Sequence, residues 1–257
     1  MGVLVCFHAH PDDEVFITGG VIRQASDAGH RVVLVTATDG ALGEVPDGLL
    51  APGESLARRR LAELEASAAA LGVHRVVPLH YRDSGMAGTD DNTHPDAFCN
   101  VDVEVAAGRL AEVLTAENAD VVTIYDENGG YGHPDHIQVH RVGVRATELA
   151  GVERVYEAAV NRDHMKRMIA ANPAWSDGAQ PPDVDALGLP EDQITTVVDV
   201  TGHVEAKRAA MVAHATQVGD FGPFLELPGK LLAAAFGTEW FRRRGVPDGT
   251  SESALAL

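Results

Sequence analysis

Six runs of apolar and β-branched residues punctuate the chain, at 3–8, 31–37, 75–79, 120–125, 154–160 and 195–200. Stretches with helical periodicity lie between them, at 13–28, 54–72, 101–117, 136–150, 162–171 and 203–217. The strand-like runs are apolar on both faces instead of alternating, which is the pattern of strands covered on both sides. The clearest helix runs from Glu54 to Gly72, rich in Ala and Arg and closed by a glycine. Asn172 to Pro190 carries four prolines and reads as an excursion. Residues after Gly219 read as an irregular cap with one short helix and then a loose tail, so that 1–257 forms a single domain whose cap and tail are 219–257.

Strands alternating with helices predict an α/β protein with a Rossmann-like, three-layer fold: a mostly parallel sheet with helices on both faces, joined by right-handed crossovers. In such open sheets ligands bind beyond the carboxyl ends of the strands, where strand order reverses. With the common order 3-2-1-4-5, strands 1 and 4 flank that point. A dinucleotide-binding protein would carry G-x-G-x-x-G after strand 1, and a charged turn stands there instead.

That turn is His10-Pro11-Asp12-Asp13-Glu14. Imidazole and carboxylate are ordinary ligands of a catalytic zinc, which takes three protein ligands and keeps one position open. Neighbouring side chains in a turn diverge, so His10 and Asp13 can face a metal while Asp12 faces its water. Carboxylates after a proline also make a good helix start, and alone the turn fits that role equally well. The run after strand 4 shifts the balance: Tyr125-Asp126-Glu127-Asn128-Gly129-Gly130-Tyr131-Gly132-His133-Pro134-Asp135-His136. Asn-Gly-Gly signals a turn, and Pro134 suits the first position of a helix. His133 then stands off the helix start and His136 sits in its first turn, so one histidine can hold metal and the other can move protons.

The net charge of −18, from 20 basic and 38 acidic residues, argues against nucleic acid and anionic membrane as partners, since both need a cationic surface. The two cysteines do not make a disulfide scaffold, and Cys6 in the first strand reads as a buried, inert thiol. No apolar run approaches the ~20 residues of a membrane span, and no basic segment precedes a signal-type core, so a cytoplasmic location is expected.

His8-Ala9-His10-Pro11-Asp12-Asp13-Glu14, the downstream Gly-Tyr-Gly-His-Pro-Asp-His and Arg82-Asp83-Ser84-Gly85-Met86-Ala87-Gly88-Thr89 resemble the PIG-L/LmbE-like zinc-dependent de-N-acetylases. Within that family the chain looks most like the deacetylases of N-acetylglucosaminyl-inositol in mycothiol biosynthesis and the mycothiol S-conjugate amidases. The resemblance runs to about Val218 and includes His214-Ala215-Thr216-Gln217. It implies His10, Asp13 and His136 as metal ligands, Asp12 as general base and His133 as general acid. It also implies Asp135 behind His133, Tyr131 at the oxyanion, and Arg60 and Asp83 on substrate hydroxyls. Glu44 and Met86 are weaker candidates for the pocket wall. The implied activity removes an N-acetyl or other N-acyl group from an N-acetylglucosamine-type substrate. The alternatives are an amidase acting on a mycothiol S-conjugate or an acylated antibiotic, and a non-catalytic sugar-binding homologue. Zinc or ferrous iron as native metal, and a homo-oligomer or a monomer, stay open.

The chain departs from the inositol-deacetylating members at Phe16-Ile17, where they are more polar, and between Val160 and Thr195, where they are longer. Both differences bear on the inositol part of a substrate. His94 is a poor ligand candidate because its His-Pro-Asp lies in a loop with no strand before it. His140, one helical turn beyond His136, fits a packed position better than a ligand. His8 reads equally as pocket floor or core histidine. Arg60 can pair with Glu63 one turn on, Asp83 can cap the Ser84-Gly85 turn, and the glycines at 40, 43 and 48 mark the loop 38–52 as a candidate lid.

Overall fold

A computed structural model describes residues 1–171, 184–247 and 249–257. In chain order it forms β1 (Val3–His8), α1 (Asp13–Ile17), α2 (Gly19–Asp27), β2 (Arg31–Thr38), α3 (Leu56–Leu71), β3 (Arg75–Tyr81), α4 (Val103–Glu117), β4 (Val121–Tyr125), α5 (Gly129–Gly132) and α6 (Pro134–Ala150). The chain continues with β5 (Arg154–Ala159), α7 (Arg162–Ala171), β6 (Thr196–Asp199), α8 (Val204–Ala213), α9 (Val218–Leu225), α10 (Gly229–Phe236) and β7 (Thr238–Arg243). The sheet order is β3-β2-β1-β4-β5-β7-β6. The first five strands are parallel, with Cys6 of β1 level with Leu34 of β2 and Thr123 of β4. The mixed α/β fold and the neighbouring placement of strands 1 and 4 match the expectation.

Successive side chains of a strand point to opposite faces, and β1 shows why its run had to be apolar throughout. Leu4 and Cys6 enter a core with α2, α3 and α8, while Val5 and Phe7 enter a second core with α4 and α6. Burial pushes the Cys6 thiol up to about 12, so it is inert as expected.

The helix expected over 13–28 is two helices meeting at Thr18, whose φ is −137°. Thr18 Oγ1 bonds the Glu14 carbonyl at 3.1 Å and His8 Nε2 at 2.8 Å, and Gly19-Gly20 offers little resistance to a break. Gly20 packs so close to Val200 that a Cβ there would overlap it. The N–H groups freed at the break donate to Glu239: Gly20 N at 2.7 Å and Val21 N at 2.9 Å. Glu239 also meets Lys207 Nζ at 2.7 Å in a buried ion pair.

Glu239 lies on β7, and β7 is the main difference from the sequence reading. The region after residue 219 was expected to be an irregular cap and tail. Instead Thr238–Arg243 enters the sheet antiparallel to both β5 and β6. Its buried face carries a carboxylate beside Phe241, so its alternation does not read as apolar. The helix expected over 203–217 stops at Ala213 and continues as tight turns through Gln217. The excursion expected over 172–190 lies outside the described residues as far as 183. Among the described residues no helix is long and apolar enough to cross a membrane.

Candidate active site

Beyond β1 the chain turns sharply through Pro11 and Asp12. Asp12 has φ +121° and ψ −30°, a region a side chain rarely adopts. Its N–H donates to Glu14 Oε2 at 3.0 Å, and the His10 N–H donates to Asp13 Oδ2 at 2.8 Å, so two carboxylates of the turn satisfy the turn's own backbone. Arg60 reaches in from α3. It donates to the Pro11 carbonyl, to the Gly40 carbonyl at 2.9 Å and to Asp12 Oδ1 at 3.0 Å. A Cβ at Gly40 or Gly43 would collide with this guanidinium, which explains glycine at both positions.

Beyond β4 the backbone is shaped by glycines at positive φ: Gly129 at +63°, Gly130 at +71° and Gly132 at +90°. Asp126 Oδ1 accepts from Asn128 N at 2.8 Å and Gly130 N at 3.3 Å, closing the turn locally. His133 is extended and caps α6, its Nδ1 accepting the Asp135 N–H at 3.1 Å, with Pro134 in the first helical position. A ring that accepts at Nδ1 carries its proton on Nε2 when neutral. His136 sits in the first turn of α6, and the half-exposed Tyr131 ring lies edge-on over it with centroids 4.9 Å apart.

The two loops converge. Asp13 Oδ1 lies 3.3 Å from His136 Nε2, and Asp13 Oδ2 lies 3.3 Å from His10 Nδ1. Nitrogen ligands of His10, His133 and His136 also fall within 4.8 Å of one another. Two ligand atoms at ~2.0–2.1 Å from a tetrahedral ion are about 3.4 Å apart, so the Asp13 spacings suit a metal. His136 Nε2 is buried without a hydrogen bond, the state of a nitrogen placed for another partner. Imidazole and carboxylate are the donors a borderline divalent ion takes. The residues therefore fit a divalent metal.

The electrostatics are those of buried charges in close contact. Burial disfavours the His10 cation, but Asp13 and Asp135 outweigh it and hold the imidazole well above its usual range. Burial likewise works against the Asp13 carboxylate, while His136 and His10 hold it well below the usual range. Asp12 goes the other way: burial raises it to about 6 even though Arg60 pulls it down. His133 falls to about 4, through burial first and then the neighbouring His10 and His136.

One expected contact differs. Asp135 does not place its carboxylate on His133. Oδ2 lies 3.2 Å from His10 Nε2 and accepts Ser84 N at 3.0 Å, while Oδ1 accepts Ser84 Oγ. It steadies His10, and only its backbone N–H serves His133; a carboxylate behind a histidine is an arrangement common in metal sites. Arg60 is 3% exposed and lines the cleft; its terminal nitrogens bond the Asp12 turn and Gly40, while Nε has no hydrogen bond. Asp83 accepts Gly85 N and Leu42 N, each at 2.9 Å, so it holds a wall as well as facing it. Glu44 and the exposed Met86 line the same cleft, of about 1000 Å³. His8 is a satisfied core histidine between Tyr125 and Thr18, burial lowering it to about 4. His140 packs against the Tyr125 carbonyl, and His94 lies apart from the group. Ser84, Thr89, Asp91 and Gln217 complete the site without having been singled out for it. Ser84 and Thr89 were legible only as members of the Arg82–Thr89 motif, and Gln217 of the His214–Gln217 motif.

Comparison with known proteins agrees with this geometry. The family model described as PIG-L, GlcNAc-PI de-N-acetylase, matches residues 5–147. A 1D-myo-inositol 2-acetamido-2-deoxy-alpha-D-glucopyranoside deacetylase from Acidothermus cellulolyticus is 44% identical over 254 residues, covering 93% of this chain and 87% of its own. One of the same name from Thermomonospora curvata is 42% identical over 270 residues, covering 94% and 90%. Among solved structures, N,N'-diacetylchitobiose deacetylase from Pyrococcus horikoshii superposes with a TM-score of 0.59 at 26% identity, over 94% of this chain and 83% of that one. With both loops and the fold between them accounted for, the chain belongs to the PIG-L family of de-N-acetylases, hydrolases of amide bonds.

Proposed function

We propose that this chain removes the acetyl group from a neutral N-acetylglucosaminide, with His10, Asp13 and His136 holding a divalent metal. The observation that carries the reading is the contact of Asp13 with both His10 and His136, beside the cleft that Asp12 and His133 line. A divalent ion held there supplies an acidified water and polarises the acyl carbonyl. Asp12 accepts the proton of the attacking water, a task suited to a carboxylate with a pKa near 6. Tyr131 donates to the oxygen on which charge develops. His133 protonates the departing amine.

A specific observation favours a second role for His133. Its Nδ1 is committed to a backbone N–H, and its ring is neutral above about 4. A neutral ring with its proton on Nε2 donates a hydrogen bond to the oxyanion, and Asp12 then returns its proton to the amine.

The leaving amine's carrier is read from the cleft wall. Glu44, Asp83 and Asp91 line it, and among its described residues Arg60 is the one lysine or arginine, its terminal nitrogens already engaged by protein oxygens. Such a wall suits hydroxyls and rejects phosphate. The sugar-inositol named for the relatives fits, and we place it first. A thiol conjugate or acylated antibiotic follows, since Phe16, Leu42 and Val45 offer apolar contact.

Release of free amine from N-acetylglucosaminyl-inositol, its inositol phosphate, diacetylchitobiose and a cysteinyl conjugate tests the reading. The neutral inositol glycoside should give the highest kcat/KM, at least about tenfold above its phosphate, a difference of about 1.4 kcal/mol. Preference for the phosphate would defeat the proposed substrate, and hydrolysis unaffected by chelation would defeat the metal.

A further inference from the structure

The segment His214-Ala215-Thr216-Gln217, just past α8, has no part in the chemistry above, yet it reaches the turn that carries Asp12. His214 is fully buried, with Nε2 at 2.7 Å from Glu14 Oε1. That oxygen also accepts Ser67 Oγ of α3 at 2.5 Å. The other oxygen of Glu14 accepts the Asp12 N–H at 3.0 Å. A chain of hydrogen bonds thus runs from the end of α8, through one carboxylate, to the backbone of a residue at φ +121°.

A glutamate in a first helical turn often reaches back to the residue capping its own helix, and such a carboxylate ordinarily keeps its other oxygen in water. Glu14 is 0% exposed, and its second oxygen is held by residues 53 and 200 positions away in sequence. Local capping needs neither partner. The segment is itself bolted down: Thr216 N and Oγ1 bond the two oxygens of Glu63 at 3.1 and 2.5 Å, and Gln217 Nε2 bonds the Glu44 carbonyl at 3.1 Å. Thr216 and Gln217 line the cleft. One short segment therefore ties the Asp12 turn and the Glu44 wall to the same support. A conformation as unfavourable as that of Asp12 persists only where its surroundings over-determine it.

We propose that His214, acting through Glu14, is a positioning residue for Asp12: it locks the carboxylate that holds the Asp12 peptide and so keeps the Asp12 side chain facing the cleft. The inference rests on the reading of Asp12 as the base. Displacement of a reacting group by about 1 Å costs on the order of 10²-fold in rate. His214→Ala should lower kcat by about 10–100-fold, with KM changed less than about twofold and bound metal per chain unchanged.

The test is a double-mutant cycle on the metal-loaded enzyme, read by amine release. Asp12→Asn alone should lose more than His214→Ala, and adding His214→Ala to it should cost nothing further, because the support has no base left to aim. His214→Gln, which keeps a donor for Glu14, should recover most of kcat. Further loss in the double variant, loss of metal, or a wild-type kcat in His214→Ala overturns the positioning role while leaving Asp12 as base. A near-normal kcat in Asp12→Asn instead overturns the base reading and this inference with it. If His214→Ala does not fold, Ser67→Ala probes the same oxygen of Glu14 and must show the same non-additivity, at smaller amplitude, for the proposal to stand.

Discussion

The loops after β1 and β4 build one site by opposite means. The β4 loop reaches its unusual backbone angles with glycines, at Gly129, Gly130 and Gly132, and closes on itself through Asp126. The β1 loop puts a side-chain-bearing residue, Asp12, at φ +121° and holds it with groups from elsewhere: Arg60 and Ser67 from α3, His214 beyond α8. Glycine adopts positive φ without steric penalty. A residue that carries a side chain at the same kind of position needs outside support. The β4 loop is thus shaped chiefly by its own residues, with one outside bond from Gly188 N to the Gly130 carbonyl at 2.7 Å, and the β1 loop depends on side chains from distant parts of the chain.

The largest effect should come from the point where the loops meet. His136→Ala removes the β4 contribution to the metal group, and most of the metal and nearly all activity should go with it. Metal analysis and circular dichroism check this; full metal retention would move the ligand role to another residue. Next, the β4 loop should break locally. Gly129→Ala places a Cβ 2.7 Å from both His136 Cβ and Ile137 N at φ +63°. Urea unfolding should show a loss of about 2–4 kcal/mol.

The β1 loop should break from a distance instead. Arg60→Ala should reduce kcat by about 10–100-fold with KM little changed, because the guanidinium holds the Asp12 turn. A rise in KM for sugar substrates with kcat preserved would return Arg60 to the substrate hydroxyls. The smallest and sharpest effect concerns protons. Asp12 accepts a proton only when ionised, so the rate should rise with pH through about 6 and fall away below it. If His133 is the acid, His133→Gln should be as damaged as His133→Ala and lose an alkaline limb. If it is a neutral donor, His133→Gln should keep about tenfold more activity than His133→Ala, with the acid limb unmoved.

Much of this was legible in the residues alone. Uniformly apolar runs at β1 and β4 marked buried parallel strands, and the histidines and carboxylates after them marked the place where ligands gather. Pro134 and the glycines of the β4 loop encode their geometry locally, so His133 and His136 stand much as their spacing implies. The charge of −18 spoke against nucleic acid and anionic membrane as partners, and no more than that. Local signals of this kind survive in sequence because each residue's conformational preference acts on its immediate neighbours.

Other features were decided only by tertiary packing. Glu239 makes β7 look polar, because its reason for burial is a break between two helices more than 200 residues earlier. Asp135 serves His10 and Ser84 because the loop after β3 folds beneath the β4 loop, which nothing in the His-Pro-Asp-His spacing reveals. Arg60 and Asp12 are 48 positions apart, and His214 and Glu14 are 200 apart. A buried charge is tolerable only with its partner in place, and where partners are distant along the chain the folded structure alone decides who they are.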